Sequence, residues 1–166
     1  MDDDEEEIMR EVVKYPQMPS MTEAELDAFL QEPHIARLST INPDGTPHTM
    51  PIWYLYRDGA IWVSTQSIQQ KVKNMRRDPR VTVLIDTNYM PYCGVMIYGE
   101  ASIDPTDAVH RRVDIFERYF GDRASATAYA QAMAQKWEPV MVKITPTRMI
   151  SFDYTKGSLV PLAGSS

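Results

Sequence analysis

Apolar positions along the chain follow a helical period in some stretches and a strand period in others, and the changes between the two predict the elements. Leu26, Phe29 and Leu30 fall at helical spacing behind Thr22-x-x-Glu25, the spacing of a capping box, so a short helix over about 22–31 is predicted, stopped by Pro33. His34–Ile41 alternates like a strand. Asn42-Pro43-Asp44-Gly45 places proline second and glycine fourth, as a type I turn does, and Pro47–Tyr56 should return antiparallel. Arg57-Asp58-Gly59 turns the chain into a third strand, Ala60–Thr65.

Alternation stops at Gln66. Ile68, Val72 and Met75 then return to helical spacing, with Ser67-x-x-Gln70 as a second capping box, and the helix they predict ends at Asp78-Pro79. Two strands follow, Arg80–Asp86 and Gly94–Ile103, separated by a polar, aromatic loop over 87–92. Asp104 is placed to cap a helix with Pro105 in its first position, Val109, Arg112, Val113, Phe116, Tyr119 and Phe120 on its face, and Gly121 at its end. An alanine-rich helix over about 124–135 comes next. Pro139 starts the last strand or bent strand pair, Val140–Ile144 and Arg148–Asp153, interrupted at Pro146. The fold expected is mainly β with short helices: six mostly antiparallel strands without β-α-β alternation, which points to a small barrel rather than a doubly wound sheet.

Composition narrows this picture. A chain of 166 residues with 43% apolar content fits one domain with a core of its own. The net charge of −6 comes entirely from Asp2, Asp3, Asp4, Glu5, Glu6 and Glu7; without them acids and bases balance. Residues 1–19 therefore read as a disordered acidic tail, 20–156 as the folded domain, and 157–166 as a flexible C-terminal tail. No apolar run is long enough to span a bilayer and no secretory pattern opens the chain, so a cytoplasmic protein without a membrane partner is expected. The basic cluster from Lys71 to Arg77 is short, which disfavours nucleic acid. Cys93 is the sole cysteine, and His34, His48 and His110 lie on three different elements without paired spacing, so no metal site is expected. Ser39, Ser64 and Ser151 lack the glycine context of a nucleophile elbow, and the sequence singles out no catalytic residue.

The most informative stretch is Ile61–Met75, where a strand runs into a helix rich in hydroxyls and amides. Free amides and the positive dipole end of such a helix, with Ser64, Thr65, Gln70 and Lys71, suit a phosphate. A capped surface helix with solvated lysines would carry the same residues, so the junction alone leaves both readings open.

Taken in order, His34-Ile-Ala-Arg-Leu-Ser-Thr, Asp44-Gly-Thr-Pro-His, Pro51-Ile-Trp-Tyr, Ile61-Trp-Val-Ser-Thr, Lys71-Val-Lys-Asn-Met, Asp78-Pro-Arg-Val and Gly99-Glu-Ala resemble the pyridoxamine 5'-phosphate oxidase-like flavin split-barrel family, from about 22 to 155. The branch of flavin and deazaflavin oxidoreductases is the most similar. The resemblance implies a six-stranded split β-barrel of FMN-binding type, homodimeric, with two cofactor sites between the subunits. It implies that Pro51, Ile52, Trp53 and Tyr54 lie beside the ring system and that Ser64, Thr65 and Lys71 hold the phosphate end. Trp137 and the strand around Arg148 are implied to reach the site from the partner chain. Two departures are visible. Gln70 stands where the vitamin B6 oxidases have an arginine, and their C-terminal paired arginines and histidine have no counterpart in 151–166, so pyridoxine 5'-phosphate is not the expected substrate. The expected function is an FMN-dependent oxidoreductase acting on a small molecule. The alternatives are a reductase using the deazaflavin F-420, with Lys71, Lys73, Arg76 and Arg77 as a basic track, or a non-catalytic flavin- or haem-binding protein.

Overall fold

Thr22 starts the first helix as its spacing predicts. In the computed structural model, which describes residues 11–12 and 18–156, its hydroxyl accepts the Glu25 amide at 3.2 Å while the Glu25 carboxylate accepts the Thr22 amide at 2.7 Å. The expected C-terminal tail and most of the expected N-terminal one lie outside the described residues. Within the N-terminal stretch, Glu11–Val12 (β1) pairs in parallel with Arg148 and Met149, and the Pro19 carbonyl accepts the Asp153 amide at 2.7 Å.

The elements that follow are α1 (Glu23–Gln31), β2 (Ala36–Ile41), β3 (Pro47–Ile52), β4 (Tyr54–Arg57), β5 (Ala60–Gln66), α2 (Gln70–Arg77), β6 (Arg80–Asp86), β7 (Cys93–Asp104), α3 (Ala108–Phe120), α4 (Arg123–Ala134) and β8 (Pro139–Asp153). Seven strands form one continuous antiparallel path, β3-β2-β6-β7-β8-β5-β4. This corrects the expected count of six. The predicted strand Pro47–Tyr56 is two strands, because Trp53 leaves the ladder: β3 pairs with β2 at one end of the sheet and β4 pairs with β5 at the other. Since Ile52 and Tyr54 are only two residues apart, the two ends of the path must meet there. The sheet is therefore curled into a split barrel.

A second correction concerns β8, which runs unbroken through Pro146. Its first half lies between β5 and β7, and its second half continues along β7. The register shifts between Tyr98 and Gly99, where Thr147 is the extra residue of a bulge, and this absorbs the proline. A third concerns the helix starts. α2 begins at Gln70 rather than Ser67, because the Ser67 amide and hydroxyl are both taken by Glu138, at 2.9 Å each, leaving Ile68 exposed. α3 begins at Ala108, since the Asp104 carboxylate caps the Thr106 amide in a turn instead of a helix.

Two apolar clusters result. The barrel interior holds residues such as Leu38, Tyr54, Val63, Val83, Ile97 and Val142, closed by Leu26 and Leu30 of α1 and by Val72 and Met75 of α2. The second cluster joins α3 and α4 to the sheet through Val113, Ile115, Phe116, Ala126, Ala130 and Met141, with Trp53 and Tyr119 packed against it. No helix among the described residues is long and apolar enough to cross a membrane.

Candidate functional site

Between the β3–β4 junction, the end of β5, the start of α2 and the α3–α4 pair lies a groove of about 350 Å³. Six of the ten residues expected at a cofactor line it: Pro51, Ile52, Trp53, Ser64, Thr65 and Lys71. The ladder positions explain this. Ser64 and Thr65 sit at the end of β5, opposite Met141 and Val140, just before the chain turns into α2. Pro51 and Ile52 close β3, a terminal strand whose outer edge has no partner strand among the described residues and so presents backbone donors and acceptors.

The other four lie outside this chain's groove, two of them, Trp137 and Arg148, being residues expected to reach it from a partner chain. Tyr54 points into the barrel, wholly buried, and its hydroxyl donates to the Glu32 carbonyl at 2.8 Å; burial pushes that phenol well above its ordinary value. Gln70 turns away along α2, donating to Asn74 at 2.9 Å. Trp137 is exposed beyond α4 beside the Lys136 ammonium, and Arg148 lies on β8 opposite Tyr98 and Glu11. Of the suggested basic track, Lys73 is exposed on α2, and Arg77 reaches back to the Ile41 carbonyl rather than to the groove.

Gln69, which the sequence reading passed over in favour of Gln70, organises the phosphate-like end. Its side-chain oxygen accepts from the Thr65 hydroxyl at 2.9 Å and closely from the Lys71 ammonium, and its amide nitrogen donates to Gln66 at 3.1 Å. Lys71 is 7% exposed, and burial pushes its ammonium below the ordinary lysine value. Asn74 holds the helix in place from behind. Its amide nitrogen donates to Thr40 and Asn42, both at 3.0 Å, which fixes α2 to the end of β2.

The lining also includes Arg112 and Phe116, on the expected face of α3, Tyr129 and Met133 of α4, and Ile35, which the sequence places in the strand His34–Ile41. Phe116 meets Tyr129 edge-on at 5.2 Å, and Trp53 meets Phe116 edge-on at 5.7 Å. The helical period that marked Arg112 and Phe116 as a buried face was the available signal; that this face meets the β3–β4 junction was not visible in it. The described lining contains two cations, Lys71 and Arg112, and no carboxylate. Such a groove suits a flat molecule that carries negative charge.

Comparison with known proteins agrees with this architecture. The family model described as pyridoxamine 5'-phosphate oxidase matches residues 22–153. A conserved hypothetical protein from Mycobacterium tuberculosis is 33% identical with a TM-score of 0.77, over 93% of this chain and 98% of that one. A structure described as an F-420 reductase is 21% identical with a TM-score of 0.61, over 74% of this chain and 94% of that one. A FAD-binding protein from Mesorhizobium loti is 21% identical with a TM-score of 0.57, over 81% and 96% of the two chains.

Proposed function

The chain belongs to the pyridoxamine 5'-phosphate oxidase family, and from that premise we propose that it is an oxidoreductase using a bound flavin-type cofactor, FMN in the first reading, on a small-molecule substrate. The observation that carries the proposal is the convergence on one groove of the hydroxyls of Ser64 and Thr65, the Lys71 ammonium and the open edge of β3. These residues fit such a group: hydroxyls and a fixed ammonium suit a phosphate, and strand-edge amides suit the ring's nitrogen and oxygen atoms. When bound, the flavin or its deaza counterpart supplies the hydride or electron chemistry. The chain's own part is to orient: Lys71 and Thr65, tied together through Gln69, hold the anionic end, and the aromatic wall of Trp53, Phe116 and Tyr129 excludes water from one side. This accounts for the lack of an acid–base pair in the lining.

The deazaflavin F-420 is the second reading, favoured by the likeness to a protein described as an F-420 reductase. A non-catalytic flavin- or haem-binding protein is the outcome to be excluded. A homodimer completes the proposal, with the cytoplasm as its location. β3 supports a homodimer, because it exposes Met50 and Pro51 along an edge without a partner strand among the described residues.

The test is the absorption spectrum and mass of the molecule that copurifies, followed by titration of FMN and F-420 into the parent and Lys71→Ala. A charge-assisted contact is worth about 1.5–3 kcal/mol, so the preferred cofactor should bind about ten- to a hundredfold more weakly to the variant. Equal binding to both, or a haem spectrum, defeats the reading.

A further inference from the structure

Arg112 is 1% exposed on α3 and lines the same groove as Lys71. One terminal nitrogen donates to the Ala130 carbonyl of α4, and the guanidinium carbon lies 5.6 Å from the Phe116 ring centroid. Its Nε is fully buried without a hydrogen-bond partner, and no carboxylate pairs with it among the described residues. Burial pushes the group below its ordinary value, yet a guanidinium keeps its proton where a lysine can lose one. A charge held out of water with one carbonyl dipole and a ring face as compensation is short of an anion.

The two cations of the groove differ in what surrounds them. Lys71 stands beside the Gln69 carboxamide that the Thr65 hydroxyl also meets, whereas Arg112 stands beside the Phe116 ring and the Ala130 carbonyl. The first setting suits a phosphate with many oxygens to satisfy. The second suits one planar oxyanion attached to an apolar body. We propose that Arg112 marks the substrate subsite and that it takes a carboxylate carried on a flat, aromatic molecule, with Phe116 and Tyr129, 67° between their planes, as the wall for the ring. The assignment rests on the reading that Lys71 takes the cofactor's phosphate. Guanidinium and carboxylate are matched in geometry, since the planar fork can offer two parallel N–H donors to two oxygens.

The test uses the full chain, with and without saturating FMN, and titrates benzoate against its uncharged isostere benzamide by calorimetry. The parent should prefer benzoate by about tenfold or more, Arg112→Met should lose the preference, and Arg112→Lys should keep part of it. FMN affinity should stay within about threefold of the parent in both Arg112 variants. A parent that does not distinguish the two ligands overturns the subsite whether or not any variant folds, and so does a preference that survives Arg112→Met. If the Arg112 variants lose FMN instead, the oxyanion at Arg112 belongs to the cofactor and the substrate assignment is wrong. Normal FMN binding by Lys71→Ala, together with a benzoate preference lost in Arg112→Met, removes the cofactor reading and leaves the carboxylate subsite standing.

Discussion

The Trp53 indole lies flat on the Tyr119 ring, with centroids 4.7 Å apart and planes 7° from parallel, at the residue where the chain passes from one edge of the sheet to the other. Below the stack, the Tyr119 hydroxyl accepts the Tyr54 amide at 3.1 Å and donates to the His34 carbonyl at 2.7 Å. One side chain of α3 thus fastens the start of β4 to the approach to β2, and with it the rim of the groove.

Tyr119→Phe keeps the stack and removes the hydroxyl, leaving a half-buried amide and carbonyl without it. The expected loss is about 1–3 kcal/mol, read as a melting temperature lowered by several degrees. An unchanged melting temperature would mean that water replaces the hydroxyl at no cost.

Much of this region was legible in sequence only as separate parts. Capping at Thr22 and the hairpin turns rest on local rules and lie where those rules put them; the helical face of α3 does so at Arg112, Val113 and Phe116, whereas Phe120 is 42% exposed and Ile115, off the expected face, is buried. The break at Trp53 was not legible, because Pro47–Tyr56 reads as one extended run; only closure of the sheet separates β3 from β4. Likewise Gln69 and Gln70 are indistinguishable by type, and the helix start that turns one to the groove and the other to Asn74 depends on Ser67 being taken by Glu138, 71 residues away.

Gly99 lies at the bulge where β8 crowds β7. A Cβ there would sit 2.6 Å from the Thr145 carbonyl oxygen and 3.1 Å from Ile144 Cγ2, and the nearer contact is backbone that cannot rotate away. Gly99→Ala should destabilise by about 1–3 kcal/mol or more in chemical denaturation, through overpacking rather than lost freedom of φ. A variant as stable as the parent would show that the bulge can slip to make room.

Asn74 is fully buried and joins α2 to Thr40 and Asn42 while accepting from Gln70. Asn74→Ala leaves the buried Thr40 hydroxyl without this donor, at a cost of about 1–3 kcal/mol, and loosens the helix that carries Lys71. Cofactor affinity should therefore fall along with stability. Loss of stability with affinity intact would separate the positioning of Lys71 from this anchor.

The proposed dimer predicts a mass in light scattering of about twice 19.0 kDa, and a charged residue at Met50, 42% exposed on the open edge of β3, should shift it toward the monomer. A stable monomer that binds flavin one to one would remove the shared site.

Lys71 gives a pH dependence with a definite sign. Burial lowers its pKa in the folded chain below the ordinary 10.5, so the cost of burying the ammonium is fully present below the folded pKa and is relieved as pH rises from there toward 10.5. Lys71→Met removes the charge and keeps most of the stem. Without ligand it should be more stable than the parent at pH 7, and its advantage should narrow as the pH rises toward 10.5, measured by urea denaturation across the range. A bound phosphate reverses the order, because it favours the charged form. At a hundred times its dissociation constant the cofactor should stabilise the parent by about 2.7 kcal/mol, and the Met variant by much less at the same concentration. If the variant is less stable than the parent without ligand at neutral pH, the Lys71 ammonium is already satisfied by its own chain through Gln69, and it is not waiting for an anion.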